Sequence, residues 1–221
     1  MTIATAKILP NDQVSVERQT WQAGSWETFL ALSQQPTYQK AKAYYFQGAY
    51  QFTMGVGANH GDINAVIFLL LSFYCTIRNL PHKAYVNTSY RKDGIRECQP
   101  DLSYYFLDGD NPLPAGSSVI NLNEYAPPDL AIEIADSSLA DDLGMKRLLY
   151  EEMQVKEYWV VDVSSLEIFA FAVDQNLGSR RIQQSVVLEG LAMDAITEAL
   201  HKSQELDNAQ LGQWWMGKIK P

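Results

Sequence analysis

The chain has 221 residues, 47% of them hydrophobic, which is enough for one sizeable core. Its formal net charge of −9 and sequence pI of about 4.8 count against a nucleic-acid coat protein, because coating phosphate needs concentrated positive charge; a local basic groove stays compatible. Cys75 and Cys98 lack metal-type spacing and make no disulfide framework, and the start MTIATAKILP lacks the basic end and apolar block of a secretory signal. A cytoplasmic protein with reduced thiols is expected. The longest apolar run, around residues 65–71, is interrupted by Ser72, so no membrane span is expected.

In chain order, residues 1–24 are polar and aperiodic and read as an N-terminal arm. Ser25 can cap a short helix over 26–33. Residues 43–54 (AYYFQGAYQFTM) place aromatics on both sides of Gly48 and read as a β-hairpin. The loop over 55–61 (GVGANHG) resembles a phosphate loop only superficially, with no GK[ST] ending and no preceding parallel strand. A helix is expected over 62–79, with Ile63, Val66, Ile67, Leu70, Leu71 and Tyr74 as its apolar stripe. Strands over 84–90 and 96–107 flank the turn RKDG, and 108–126 reads as a long surface loop.

The stretch over 127–163 organises the rest. Leu130, Ile132 and Ile134 alternate with Ala131, Glu133 and Ala135, so a carboxylate sits between two alanines on one face of a strand. A charge there is costly unless it is paired or binds a cation. Asp141 or Asp142 can cap the following helix, on which Leu143, Lys146, Tyr150 and Met153 share one side. Gln154 ends it, and 158–163 (YWVVDV) is the next strand, giving a βαβ crossover with parallel strands. Two more strands over 167–173 and 181–188 and a helix over 194–202 complete a domain over 25–203. A tail over 204–221 carries Trp214 and Trp215, which dock on the body or, if exposed, serve a subunit interface. The fold class is α/β (α+β), a mixed central sheet flanked by helices.

Asp101, Glu133 and Lys146 stand out together. Asp101 follows Pro100 at a strand end, Glu133 sits mid-strand on what should be a neighbouring strand, and Lys146 comes from the helix above. Converging carboxylates suit a hard divalent cation, and a nearby ammonium can orient water or neutralise developing charge. Metal-assisted phosphodiester hydrolysis fits these parts, although spacing alone does not single it out. Glu133 as a buried acid paired with an arginine or with Lys146 is the structural alternative. So are Asp101 as a strand-end turn residue and Lys146 as a snorkelling helix lysine. Ser137 and Ser138 have no histidine placed to form a triad with them. The runs 44–46 and 104–106 read as core rather than base-stacking platforms.

The runs QPDLSYYF at 99–106, DLAIEIADSS at 129–138 and DDLGMKRLLYEEMQVKEYWVVDV at 141–163 resemble the Uma-two family of the PD-(D/E)XK nuclease superfamily, a type common in cyanobacteria. The similarity covers roughly residues 40–190. It implies a restriction-endonuclease-like fold and a Mg²⁺-dependent (or Mn²⁺-dependent) endonuclease site acting on DNA. In that pattern Asp101 and Glu133 are the metal-binding acids. The usual lysine two residues after the acid is Ala135 here, so the resemblance implies that Lys146 takes its role. Family members often carry an acid right after the hairpin glycine, where this chain has Ala49, and a histidine at the position of His60, read here as a surface or cap residue. The resemblance also implies a homodimer, so that both strands of a duplex can be cut. A binding or regulatory module with an impaired site is the competing reading, motivated by Ala49 and the acidic charge. A hydrolase of a smaller phosphoester is a third.

Overall fold

The computed structural model describes residues 20–107, 112–116, 119–174 and 178–220. The expected arm over 1–24 therefore lies almost wholly outside the described residues, as do parts of the expected loop over 108–126.

The hairpin expected around Gly48 forms as β2 (Lys42–Phe46) and β3 (Ala49–Thr53), with Phe46 opposite Ala49. A two-residue hairpin loop needs positive φ at both central positions to match strand twist. Gln47 and Gly48 supply it, at φ 48° and 75°. A short β1 (Gln22–Ala23) pairs with β3. Between them, α1 (Trp26–Ser33) starts where Ser25 Oγ accepts from the Thr28 amide at 3.3 Å.

Helix α2 (Ala58–Arg78) begins one turn earlier than the sequence indicates, absorbing part of the glycine loop. Its expected apolar stripe is buried, from Ile63 through Tyr74. By length and composition this helix could cross a membrane, contrary to the expectation from the Ser72 interruption. Its apolar residues instead pack in the core of this chain. Beyond it run β4 (His82–Val86), β5 (Tyr90–Lys92) and β6 (Arg96–Cys98), with Lys92 opposite Arg96 across the Asp-Gly turn.

The stretch expected as one strand over 96–107 breaks at Pro100, which has no N–H for a ladder. Past the break, β7 (Leu102–Phe106) belongs to a different sheet. The remaining strands are β8 (Ile120–Asn121), β9 (Leu130–Ala135), β10 (Glu157–Asp162), β11 (Ile168–Asp174) and β12 (Gly178–Ile182). The described strands form two six-stranded sheets, in the orders β1-β3-β2-β6-β5-β8 and β12-β11-β10-β9-β7-β4. Both are mixed: β5 and β8 are parallel in the first, β9 and β10 in the second. The expected parallel βαβ unit is thus present, and a second sheet is added to the mixed sheet read from the sequence.

The crossover from β9 to β10 carries α3 (Leu139–Asp142) and α4 (Met145–Met153). Gly144 separates them; a Cβ there would lie 2.8 Å from the Ala140 carbonyl oxygen. Asp141 is therefore inside α3 rather than capping one long helix, and Trp21 Nε1 donates to its Oδ1. The chain ends with α5 (Met193–Ser203) and α6 (Asn208–Lys218), the latter opened by a capping box of Asp207 and Gln210.

All six residues of β9 are buried. Leu130, Ile132 and Ile134 pack with α2, α5 and α6. Ala131 and Ala135 face the other way, into a cluster with Leu149, Tyr150 and Met153 of α4 and Tyr44 and Phe46 of the first sheet. Glu133 shares this second face, so it points between the two sheets. Of the two readings of the paired tryptophans, Trp215 takes docking on the body: it is fully buried and its Nε1 donates to the Leu70 carbonyl at 2.8 Å. Adjacent helical residues point about 100° apart, which here sends the neighbouring indole to the rim of the core. Trp214 stays half-buried beneath the ammonium groups of Lys202 and Lys218.

Candidate active site

Register brings the two acids together. Leu102 of β7 pairs with Ile132 of β9 in an antiparallel ladder. One step further along, Asp101 falls opposite Glu133, and opposed residues put their side chains on the same face about 5 Å apart. The Asp101 side chain closes this end of the ladder, with Oδ2 accepting from the Ile134 amide at 2.9 Å. Both acids are 2% exposed and line one cavity of about 230 Å³ with Lys146, Lys42, Tyr44 and His60. The three residues singled out from the sequence therefore meet in one place.

Lys146 reaches the cavity from the first turn of α4. Its ammonium is 2.7 Å from Asp142 Oδ1, 3.9 Å from Glu133 Oε1 and 4.3 Å from the Tyr44 ring centroid. Asp142 is thus its first ionic partner and Glu133 its second. Ser138 Oγ donates to Asp142 Oδ2 at 2.5 Å, which steadies that carboxylate. The loop glycines Gly55 and Gly57 and the α3 residue Asp141 form part of the cavity wall.

The sequence reading missed several members of the site. Lys42 Nζ lies 2.5 Å from Asp101 Oδ1 and 4.0 Å from Glu133 Oε2. Tyr44 and Tyr150 donate to Glu133 Oε1 at 3.1 and 2.8 Å. His60, read as a surface or cap residue, is buried instead, with Nε2 3.1 Å from Asp101 Oδ1. The signal for Lys42 and Tyr44 was the period of two along β2, which puts a lysine and a phenol on one face of a strand otherwise rich in aromatics. Ala49 does not line the cavity; Gln51 and Thr53 of the same strand do.

The electrostatics separate the two acids. For Asp101, burial alone raises the pKa, but the His60 hydrogen bond, the Lys42 ammonium and the Ile134 N–H outweigh it and hold the carboxyl well below its usual range. For Glu133, burial dominates over Lys146 and Lys42, and the neighbouring Asp101 and Asp142 add to it, so its pKa is pushed up to about 8. Burial opposes the charge on Lys146, yet Glu133 and Asp142 overcome it and raise its pKa, so the ammonium stays charged. Burial and the nearby acids push Tyr44 and Tyr150 upward, keeping both phenols as neutral donors.

Asp101 and Glu133 fit a hard divalent cation, since the pair already shares one cation, the Lys42 ammonium. Magnesium commonly uses only one or two carboxylates, with water completing its shell. No cluster of three or more His, Cys, Asp or Glu side chains suited to a metal occurs among the described residues.

Comparison with known proteins agrees with this architecture. A crystal structure described as "a putative nuclease belonging to DUF820" from Anabaena variabilis matches with a TM-score of 0.50 and 16% identity, covering 86% of this chain and 98% of that one. At that identity the likeness concerns the fold alone. No curated protein matches the chain. Residues 26–209 match the Uma2 family, described as "Putative restriction endonuclease". That span takes in every described strand but β1, with Asp101, Glu133, Lys42 and Lys146, and the chain belongs to the Uma2 family.

Proposed function

We propose that the chain is a cytoplasmic endonuclease that hydrolyses DNA phosphodiester bonds with Mg²⁺ or Mn²⁺ held by Asp101 and Glu133. The observation that carries this reading is the meeting of two carboxylates from neighbouring strands with a fixed ammonium in one buried cavity. The bound cation would supply a water of lowered pKa and countercharge for a phosphoryl oxygen. The chain's own residues have separable tasks. The Ile134 amide holds Asp101 Oδ2, which leaves Oδ1 on the cavity side with Lys42 and His60. The Tyr44 and Tyr150 hydroxyls hold Glu133 Oε1 and leave Oε2 for a ligand. Lys146, fixed by Asp142, keeps a positive charge in place before any reaction begins. Such a preorganised charge stabilises negative charge developing on the scissile group without reorganisation. A homodimer, one copy per strand, is part of the proposal. The test is cleavage of plasmid DNA in Mg²⁺ or Mn²⁺ by the purified chain and by Glu133→Ala. Divalent-dependent cleavage lost in the variant is expected; equal cleavage by both, or none by either, refutes it.

A specific observation favours a second reading, a nuclease-fold module with an impaired site. Glu133 is pushed up to about 8, and an ammonium already stands between the acids. Calorimetry with Mn²⁺ separates the two: the module takes up no ion above background.

A further inference from the structure

The acid pair already has a cation beside it without a metal. Lys42 opens β2, and its side chain keeps 16% exposure where Asp101 and Glu133 keep 2%. Its ammonium donates to Asp101 Oδ1 at 2.5 Å and faces Glu133 Oε2 at 4.0 Å. Those two oxygens are the ones left on the cavity side once Ile134, Tyr44 and Tyr150 have fixed the others. Lys146 is placed differently: it is tied to Asp142 and faces Glu133 on its Oε1 side. The two lysines thus divide the work, one beside the acid pair and one between its open oxygens.

We propose that Lys42 is a built-in counter-ion occupying the divalent-cation seat between Asp101 and Glu133, so that the metal enters by exchange with its ammonium. This rests on the reading that the two acids take a divalent cation. The physical reason for such a device is desolvation: a buried Asp101 carboxylate beside a second acid at low dielectric needs a nearby cation to stay ionised. A lysine on a flexible four-carbon stem can supply that charge and then withdraw. Lys42 is suited to withdrawal because it sits at the open end of the β2–β3 hairpin, opposite Thr53, and retains access to solvent. The consequence is weaker metal binding than the acids alone would give, because the ion must first break a charge-assisted hydrogen bond.

The test is calorimetric titration of Mn²⁺ into the full chain, with melting temperature measured in the presence and absence of Mn²⁺ as a second readout. Lys42→Met should bind Mn²⁺ about tenfold or more tightly than the parent, the scale set by losing one charge-assisted hydrogen bond from the competing state. Without metal Lys42→Met should melt lower than the parent, and Mn²⁺ should restore it. Lys42→Gln should move the same way, which covers the case in which the methionine variant folds poorly. Lys146→Met should tighten binding much less, because that ammonium does not contact Asp101. Equal or weaker Mn²⁺ binding by both Lys42 variants overturns the proposal while leaving the metal reading intact. Equal tightening by Lys42→Met and Lys146→Met also overturns it, since bulk charge would then explain the gain. No Mn²⁺ uptake by the parent or by any variant brings down the metal reading itself, and this proposal with it.

Discussion

Replacing Glu133 with glutamine isolates the proton held in the cavity. Burial lifts this carboxyl from 4.5 to about 8. Between those two values the native state keeps a proton that the unfolded chain has already released. The unfolded state then binds fewer protons, so stability falls as pH rises through the window and levels off above it. At about 1.4 kcal/mol per pH unit, the whole window is worth at most about 5 kcal/mol. Glutamine keeps the shape, and its amide oxygen can still accept from Tyr44 and Tyr150, but it carries no proton to lose. Other titrating groups remain in both proteins and largely cancel in the difference. Urea unfolding in EDTA, at steps from pH 5 to pH 8, should therefore show the parent losing stability relative to Glu133→Gln by a few kcal/mol. The two curves running parallel across that range would show that Glu133 is ionised throughout, and the electrostatic account of the cavity would be wrong.

Three further outcomes follow from the packing and hydrogen bonds. Trp215→Ala should cost about 3–5 kcal/mol in chemical denaturation, because it empties a fully buried indole site and removes the indole's hydrogen bond to the Leu70 carbonyl. Glu157 is buried and accepts only from donors: Trp159 Nε1 at 2.5 Å, and Ser185 Oγ, Val186 N and Val187 N at 3.0, 2.8 and 3.1 Å. Glu157→Gln turns one of its oxygens into a donor facing donors, so it should destabilise by about 1–3 kcal/mol and speed amide exchange at Val186 and Val187. Asp101 has a depressed pKa, so its contribution is fully present above its ordinary value of 3.8 and is lost as pH falls through the lower folded value. Asp101→Asn should therefore be less stable than the parent at neutral pH, with the gap closing under strongly acidic conditions. A gap that stays constant on acidification would contradict the assignment.

Local signals gave the elements and part of the site. The alternation in Leu130–Ala135 was enough to show that Glu133 lies on a face with small neighbours, and the aliphatic set on the other face identified the main core. The Asn/Asp-Gly type of turn signal worked for the hairpin at Gly94 and for its Gln-Gly relative at Gly48. The division into two sheets was not legible, because Cys98 and Leu102 differ in nothing local that says they pair with different partners. Only Pro100 marks the break. Lys42 and Tyr44 were hidden for the same reason. The period of two along β2 puts them on one face, but their partners lie 59 and 89 residues away, and nothing within β2 says which residues that face meets. His60 was misread because a histidine after a glycine-rich segment usually meets water, whereas α2 starts early enough to turn it inward.

The handover of the chain from one sheet to the other at Pro100 has a mechanical consequence. Asp101 and Glu133 ride on the same slab, tied by the Ile134 amide, while Lys42 rides on the opposing one. Sliding or tilting the slabs would strain the Lys42 contact together with the Tyr44 bond to Glu133, and leave the spacing of the acids almost untouched.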